Sequence, residues 1–75
     1  MNNELRTIIR HGNRSATEYG YGLYINGYVV HDEEESGAIW ASECVSPSAS
    51  PETIKRVERN VRRRALYHYR KVFEL

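Results

Sequence analysis

Basic side chains are concentrated in the last third of this chain. Residues 51–75 carry eight Lys or Arg and three Asp or Glu, whereas residues 1–50 carry three Lys or Arg and seven Asp or Glu. Arginine offers a planar, bidentate donor to phosphate or carboxylate, and tyrosine combines a ring that can stack with a polar tip. The residues therefore predict that this segment binds an anionic partner.

Six of these side chains are the predicted binding residues, because they lie opposite or beside the apolar stripe of a predicted helix. They are Arg56, Arg59, Arg62, Arg63, Tyr67 and Arg70. Arg64, near the other edge of the helix, could pair inward with a carboxylate of the sheet. Clustered arginine is the electrostatic footprint of nucleic-acid binders. The alternative interpretation is a solvated face that keeps a small protein soluble.

A second charged patch is acidic. It consists of Asp32, Glu33, Glu34 and Glu35, which are predicted to form a turn. This patch could bind a basic protein surface, mimic nucleic-acid phosphates, or only face solvent. Acid–base catalysis requires carboxylates that face each other across a cleft, and a contiguous turn does not provide that arrangement. The spacing also differs from that of a calcium loop.

The sequence contains no motif that indicates catalysis, a metal or a cofactor. The soft metal ligands are His11, His31, His68 and Cys44, and no two stand at zinc-ligand spacing. Cys44 is predicted to be a small buried residue. We therefore expect a non-enzymatic binding protein with no metal and no cofactor.

Composition indicates one globular domain, residues 1–75, of 40% hydrophobic and 28% charged residues with a net charge of +1. The single cysteine excludes an intramolecular disulfide and favours a reducing compartment. The polar N-terminus does not resemble a signal peptide, and no apolar run is long enough to span a bilayer. These features predict a cytoplasmic protein with no membrane partner.

The C-terminal helix is predicted over about 51–73, after a loop at 46–50. Ser50 is the expected N-cap, with Pro51 at the first helical position. The apolar stripe is predicted to contain Ile54, Val57, Val61, Ala65 and Val72, with Tyr69 and Phe73 at its flank. Two ion pairs at i,i+4 spacing are expected within the helix, Glu52 with Arg56 and Glu58 with Arg62.

The strands are predicted from alternation and turn residues. Leu5–Arg10 is an expected strand, residues 11–15 an expected turn, and Ala38–Val45 an expected last strand. Asn26-Gly27 predicts a two-residue hairpin loop between the runs 19–25 and 28–32. That hairpin would put Tyr21, Leu23, Ile25, Tyr28 and Val30 on the core face and Val29 on the other. Gly20 and Gly22 suggest a bulge or a close approach of another backbone.

These elements predict an α+β domain. We expect an antiparallel sheet of three or four strands in the order β-β-β-(β)-α, over about residues 4–45. One long C-terminal helix is expected to pack on one face of the sheet.

The segment Leu23-Tyr24-Ile25-Asn26-Gly27-Tyr28, followed by a charged turn, a strand and a helix, is similar to the three-stranded arm-type DNA-binding domains of phage integrases. The resemblance covers about Tyr21 to Tyr67 and implies DNA contact through the sheet. The chain departs from that pattern in placing the acidic turn 32–35 beside the sheet.

Three functions follow as hypotheses. The first is a nucleic-acid-binding accessory protein or regulator that uses the basic helix face. The second is a small phage-type inhibitor, similar in class to anti-CRISPR proteins, that binds a host or defence-system protein. The third is a homodimer in which the acidic turn of one chain meets the basic helix of another.

Overall fold

The structure, a computed structural model, describes residues 4–17 and 20–75, with side chains for 4–12 and 22–75. Its elements are the strands β1 (Leu5–Thr17), β2 (Gly20–His31), β3 (Glu34–Glu35) and β4 (Ala41–Val45), followed by the helix α1 (Pro51–Phe73). β2 is central, because β1 pairs antiparallel with it on one side and β3 and β4 pair antiparallel with it as well. The predicted α+β class, with one C-terminal helix on an antiparallel sheet, is confirmed.

The predicted hairpin at Asn26-Gly27 is wrong, because β2 runs straight through this dipeptide. β1 likewise continues through residues 11–15, where a turn was expected. Gly27 lies beneath the helix, where an added Cβ would be 2.8 Å from Cγ1 of Val61 and 3.3 Å from Cβ of Ala65. This glycine therefore serves a close approach of helix and sheet rather than a turn. The resemblance to arm-type domains, which rested on a turn here, loses its basis.

The two-residue hairpin loop lies instead at Asp32 and Glu33, between β2 and β3. Both residues have positive φ, 52° and 70°, and His31 pairs with Glu34 across them. Positive φ at both loop residues is typical of a type I′ turn. The predicted acidic turn is thus confirmed at its first two residues, while Glu34 and Glu35 form β3.

The segment between β3 and β4 interrupts what would otherwise be one strand. Val30 pairs with Glu35, so an uninterrupted ladder would place Ala38 opposite Gly27, but Ala41 lies there. Three extra residues therefore leave the sheet, and the predicted strand start at Ala38 is wrong. The amide of Trp40 returns to the ladder by donating to the carbonyl of Gly27 at 2.8 Å.

The core lies between one face of β2 and the helix. Ile25, Val29 and Val61 are fully buried, and they are surrounded by the buried residues Ala41, Val57, Ala65 and Tyr69. The predicted core face is thus wrong for Val29, which belongs to the core under the helix, and for Tyr28 and Val30, which alternate onto the opposite face of β2. Val30 is nevertheless buried there, at 3% exposure. Burial of such aliphatic side chains contributes roughly 1.5–3 kcal/mol each.

The helix begins and ends with hydrogen-bonded caps. Ser50 Oγ accepts from the amide of Thr53 at 3.2 Å, and Pro51 occupies the first turn, which confirms the predicted start. At the other end Glu74 adopts φ 55°, and the amide of Leu75 donates to the carbonyl of Arg70 at 2.9 Å. This bond from the second residue after the helix is that of a Schellman motif and folds Leu75 back toward the last turn.

The helix extends beyond the sheet. Its 23 residues span about 34 Å, and Tyr69 already contacts His31, the last residue of β2, so the final turn lies past the described end of that strand. Val72, predicted in the apolar stripe, lies in this final turn and is 62% exposed. Val57, Val61 and Ala65 of the same stripe are buried, which confirms that part of the pattern. In the part of the chain that the structure describes, no helix is long and apolar enough to cross a bilayer.

The far end of the β1–β2 hairpin is irregular. Arg14 pairs with Gly22 and Thr17 with Gly20, and the register shifts between these two pairs. One more residue lies on β1 than on β2 in this interval, so the ladder is irregular opposite Gly20 and Gly22, in keeping with the bulge that was one of the two alternatives for these glycines. Tyr19 and the side chain of Tyr21 lie outside the described residues.

Candidate functional site

The solvent side of α1 carries five of the six predicted binding residues. We define this basic face as Arg56, Arg59, Arg63, Tyr67 and Arg70, all of which are exposed. Their helical spacing places them opposite the buried residues Val57, Val61 and Ala65, because 3.6 residues make a turn. The apolar stripe fixes the orientation of the helix and therefore directs these side chains away from the domain.

Arg62, the sixth predicted residue, is directed differently. Its Nη1 donates to the carbonyl oxygen of Thr7 at 3.0 Å and lies 3.2 Å from Oγ1 of the same residue. Glu58, one turn earlier, is 2.8 Å from Nε2 of His11. The expected pair of Glu58 with Arg62 is therefore absent, and both side chains tie the helix to β1 instead. Arg62 lies apart from the basic face.

The arginines of the basic face keep their charge available. Among the described side chains, no carboxylate lies within ion-pair distance of Arg56, Arg59, Arg63 or Arg70, and the expected pair of Glu52 with Arg56 is not formed. Arg63 donates to Oδ1 of Asn60 at 3.1 Å, which is a neutral acceptor. Arg64 is exposed and makes no contact with a described carboxylate of the sheet, contrary to expectation.

The last turns of the helix form a hollow of about 510 Å³ that is open to solvent. It is lined by Arg63, Tyr67, Arg70, Lys71 and Leu75. Three predicted binding residues thus meet in one concave surface, joined by two residues that the sequence did not predict for the site. Leu75 reaches the hollow because the Schellman motif turns the chain back, and glutamate at the left-handed position gives no sequence signal for that motif.

Tyr67 lies in the middle of this hollow. This residue is 56% exposed, and it is one helical turn from Arg63 on one side and from Arg70 and Lys71 on the other. The ammonium of Lys71 lies 5.4 Å from the ring centroid, and the ring of His68 meets it edge-on with centroids 5.5 Å apart. The hollow can therefore offer an anion three cations and an aromatic surface at the same time.

Two acids of the predicted acidic patch form ion pairs with arginines of β1. Arg10 forms a two-pronged pair with Glu35, in which Nη2 donates to Oε2 at 3.0 Å and Nη1 also donates to Oε1. Nη2 of Arg6 is 3.6 Å from Oε2 of Glu33. The hydrogen bond from Arg10 holds the pKa of the Glu35 carboxyl below its ordinary value, and Glu35 raises the pKa of Arg10 in return. Two of the four predicted acidic residues are thus neutralised within the domain.

The sheet face away from the helix carries two tyrosines of β2. Tyr24 and Tyr28 alternate onto this face, so the expectation that Tyr28 packs under the helix is wrong. The guanidinium of Arg10 lies 4.9 Å from the centroid of the Tyr28 ring. Cys44 also lies here as an exposed free thiol, not as the buried residue expected. The ion pair of Arg10 with Glu35 therefore crosses the middle of this face and covers part of it.

A cluster of aromatic rings lies between the helix and the sheet at the end of β2 that leads into the acidic turn. It contains His31, Trp40, Tyr69 and Phe73. Nδ1 of His31 is 2.9 Å from the hydroxyl of Tyr69, and the Trp40 and Tyr69 rings meet edge-on at 5.1 Å. The sequence did not predict this cluster because its four members come from three separate segments.

The histidines and the cysteine do not converge. In the described part of the chain no three His, Cys, Asp or Glu side chains are placed to hold a metal ion. His11 and His31 are engaged by Glu58 and Tyr69, which lie on the same side of the helix but about 16 Å apart along its axis. Among the described residues, the best candidate for a binding site is therefore the concentration of positive charge on the basic face and in its hollow.

No protein-family model, no curated protein and no solved structure matches this chain.

Proposed function

We propose that this chain is a non-enzymatic nucleic-acid-binding accessory protein or regulator that acts through the basic face of α1. The observation that carries the proposal is the unequal pairing of charge. Described acids are engaged by Arg6, Arg10 and His11 of β1, while the arginines of the basic face have no described carboxylate partner. Phosphate is the anion that planar guanidinium groups bind well in two-pronged contacts.

The geometry supports contact along the helix rather than through the sheet. Arg56 and Arg70 are 14 residues apart, which corresponds to about 21 Å along the axis, and Arg59 and Arg63 lie between them. Four arginines in a row can follow a phosphate backbone. The open sheet face presents the acids of the turn next to its own arginines, which weakens its attraction for phosphate.

The test is fluorescence anisotropy with labelled DNA and RNA, single-stranded and duplex, over roughly 50 to 200 mM salt. If four phosphates are neutralised, duplex affinity falls by about 100-fold over this range, because each contact releases counterions. Arg59→Ala with Arg70→Ala should weaken binding and reduce the salt slope by about 2.

The matched control removes the same charge from the other side of the domain. Arg6→Ala with Arg10→Ala also deletes two cations, but these are cations that already pair with Glu33 and Glu35. The proposal predicts a larger loss for the helix variant than for the sheet variant. Equal losses in both variants, or no binding at 50 mM salt, would overturn it.

A protein with an acidic surface is the second candidate, in keeping with the phage-type inhibitor hypothesis. The observation that favours it is the apolar surface beside the hollow, where Val72, Phe73 and Leu75 are each at least half exposed. Apolar side chains bordered by cations suit the centre and rim of a protein interface. Val72→Ser discriminates the two candidates, because it should weaken binding of an acidic protein and leave nucleic-acid affinity unchanged.

The homodimer hypothesis receives less support. It requires the acidic turn of one chain to meet the basic face of another, but Glu33 and Glu35 are already paired with arginines of their own chain. Breaking those pairs would offset the gain from new ones. Sedimentation at low salt and high protein concentration should therefore give a monomer.

A further inference from the structure

The hollow at the end of α1 differs from the rest of the basic face in containing a ring. The other arginines of the face, Arg56 and Arg59, have only polar and charged helix neighbours on the solvent side. Tyr67 instead exposes 56% of its surface between Arg63, Arg70 and Lys71. An aromatic ring at the centre of three cations adds a surface that phosphate contact alone does not require.

The ring is held in place by its neighbours. Lys71 places its ammonium over the ring at 5.4 Å from the centroid, and the imidazole of His68 contacts the ring at 5.5 Å between centroids. Because the tyrosine has only two side-chain torsions, and both contacts come from the same helical turn, little freedom is lost when another ring stacks on it. The volume of about 510 Å³ falls within the range of sites that hold small ligands.

We infer that the hollow binds an unpaired nucleotide, with the base on the Tyr67 ring and its phosphates on Arg63 and Arg70, so that the basic face prefers single strands to duplexes. This inference rests on the proposed function. In a duplex the faces of the bases are stacked on one another inside the double helix, and the protein can reach only phosphates and groove edges. An exposed tyrosine ring therefore gains no stacking contact with a duplex. In a single strand every base presents a face that an aromatic side chain can stack on.

The test compares a labelled single strand of about twelve thymidines with a labelled hairpin duplex of similar length at one low salt concentration. Wild type should bind the single strand more tightly. Tyr67→Leu keeps apolar bulk but removes the ring, and should weaken single-strand binding roughly 5- to 150-fold, a larger factor than the loss of duplex binding. Tyr67→Phe keeps the ring and should bind as wild type does. Because Tyr67 is exposed, these variants should fold, which far-UV circular dichroism checks.

The outcomes separate this inference from the function on which it rests. Tighter binding to the duplex, or an equal effect of Tyr67→Leu on both probes, would overturn the single-strand preference and leave nucleic-acid binding intact. No binding to either probe would overturn both. Thymidine monophosphate, added as a competitor, should displace the labelled strand only at a far higher concentration than unlabelled strand does. Displacement at equal concentration would mean that the ligand is a free nucleotide, and would overturn the inference that the hollow binds a nucleotide within a strand.

Discussion

Replacing Gly27 by alanine tests whether this glycine sets the distance between helix and sheet. Its φ is not in the left-handed region, so the backbone itself accepts alanine. The added Cβ would lie 2.8 Å from Cγ1 of Val61, 3.3 Å from Cβ of Ala65 and 3.5 Å from the carbonyl oxygen of Val61. Val61 is β-branched and fully buried, so it cannot rotate away, and the helix must move instead.

The expected loss follows from two opposing effects. Overpacking a well-filled core costs about 1–3 kcal/mol. Removing a glycine from the unfolded chain stabilises the protein by about 0.4–1 kcal/mol. The free energy of unfolding should therefore fall by about 1–2 kcal/mol, and Tm by roughly 4–8 °C for each kcal/mol in a domain of this size.

The assay is urea denaturation followed by the fluorescence of Trp40, the single tryptophan, which contacts Tyr69 of the helix. Gly12→Ala is the matched control. A Cβ there would meet only ordinary contacts, Nδ2 of Asn26 at 3.5 Å and Cβ of Tyr24 at 3.9 Å. This control should be neutral or stabilised by up to about 1 kcal/mol.

A double variant checks the cause. Val61→Ala alone should cost about 1.5–3 kcal/mol through lost burial. Combined with Gly27→Ala it should cost less than the sum, because the new methyl enters the space that Cγ1 vacates, with a coupling of about 0.5–3 kcal/mol. The reasoning would be refuted if the Gly27→Ala variant were as stable as the Gly12→Ala variant. It would also be refuted if the losses of unfolding free energy from Gly27→Ala and Val61→Ala were strictly additive in the double variant.

Two further predictions concern a backbone angle and a carboxyl group. Gly37 has φ 73°, and an added Cβ would meet no atom within 4 Å. Gly37→Ala should therefore lower the free energy of unfolding by about 1 kcal/mol through backbone strain alone. The same urea titration measures this loss, and an unchanged midpoint would contradict the prediction. Because Arg10 depresses the pKa of Glu35 in the folded state, the pair stabilises the fold at pH values above the unfolded-state pKa, and this contribution is lost as the pH falls through the folded-state pKa. A carboxyl-carbon NMR titration should give a lower midpoint for Glu35 in wild type than in Arg10→Ala, and equal midpoints would show that the hydrogen bond has no influence.

The helix could be predicted from sequence because its signals are local. Ser50 and Pro51 mark its start within two residues, and the stripe of Val57, Val61 and Ala65 repeats at helical spacing over several turns. The basic face follows from the same periodicity, since whatever lies opposite a buried stripe must face solvent. Val72 shows the limit, because its exposure depends on where the sheet ends and not on its place in the stripe.

The strands could be predicted only in part, because their pairing depends on distant residues. Asn26-Gly27 has the composition of a hairpin loop, but the packing of Gly27 against Val61, 34 residues away, prevails over the local preference. The actual loop uses Asp32 and Glu33, which are less suited to positive φ than asparagine and glycine. The wrong loop shifted the alternation by one residue, which exchanged Val29 with Tyr28 between the two faces.

The hydrogen bond from Arg62 to Thr7 also bears on how this protein behaves at high concentration. Among the described strands β1 pairs with β2 alone, so its other side is an open strand edge within the part of the chain that the structure describes. The carbonyl of Val29 accepts from Ser36 on the side away from β1, so Thr7, which is opposite Val29, turns its own carbonyl toward the open edge. Open edges are templates on which further chains can add strands and begin to aggregate. Arg62 donates a hydrogen bond to that carbonyl and places a charged side chain at the edge. It therefore blocks strand addition at this position and opposes aggregation through the edge of β1.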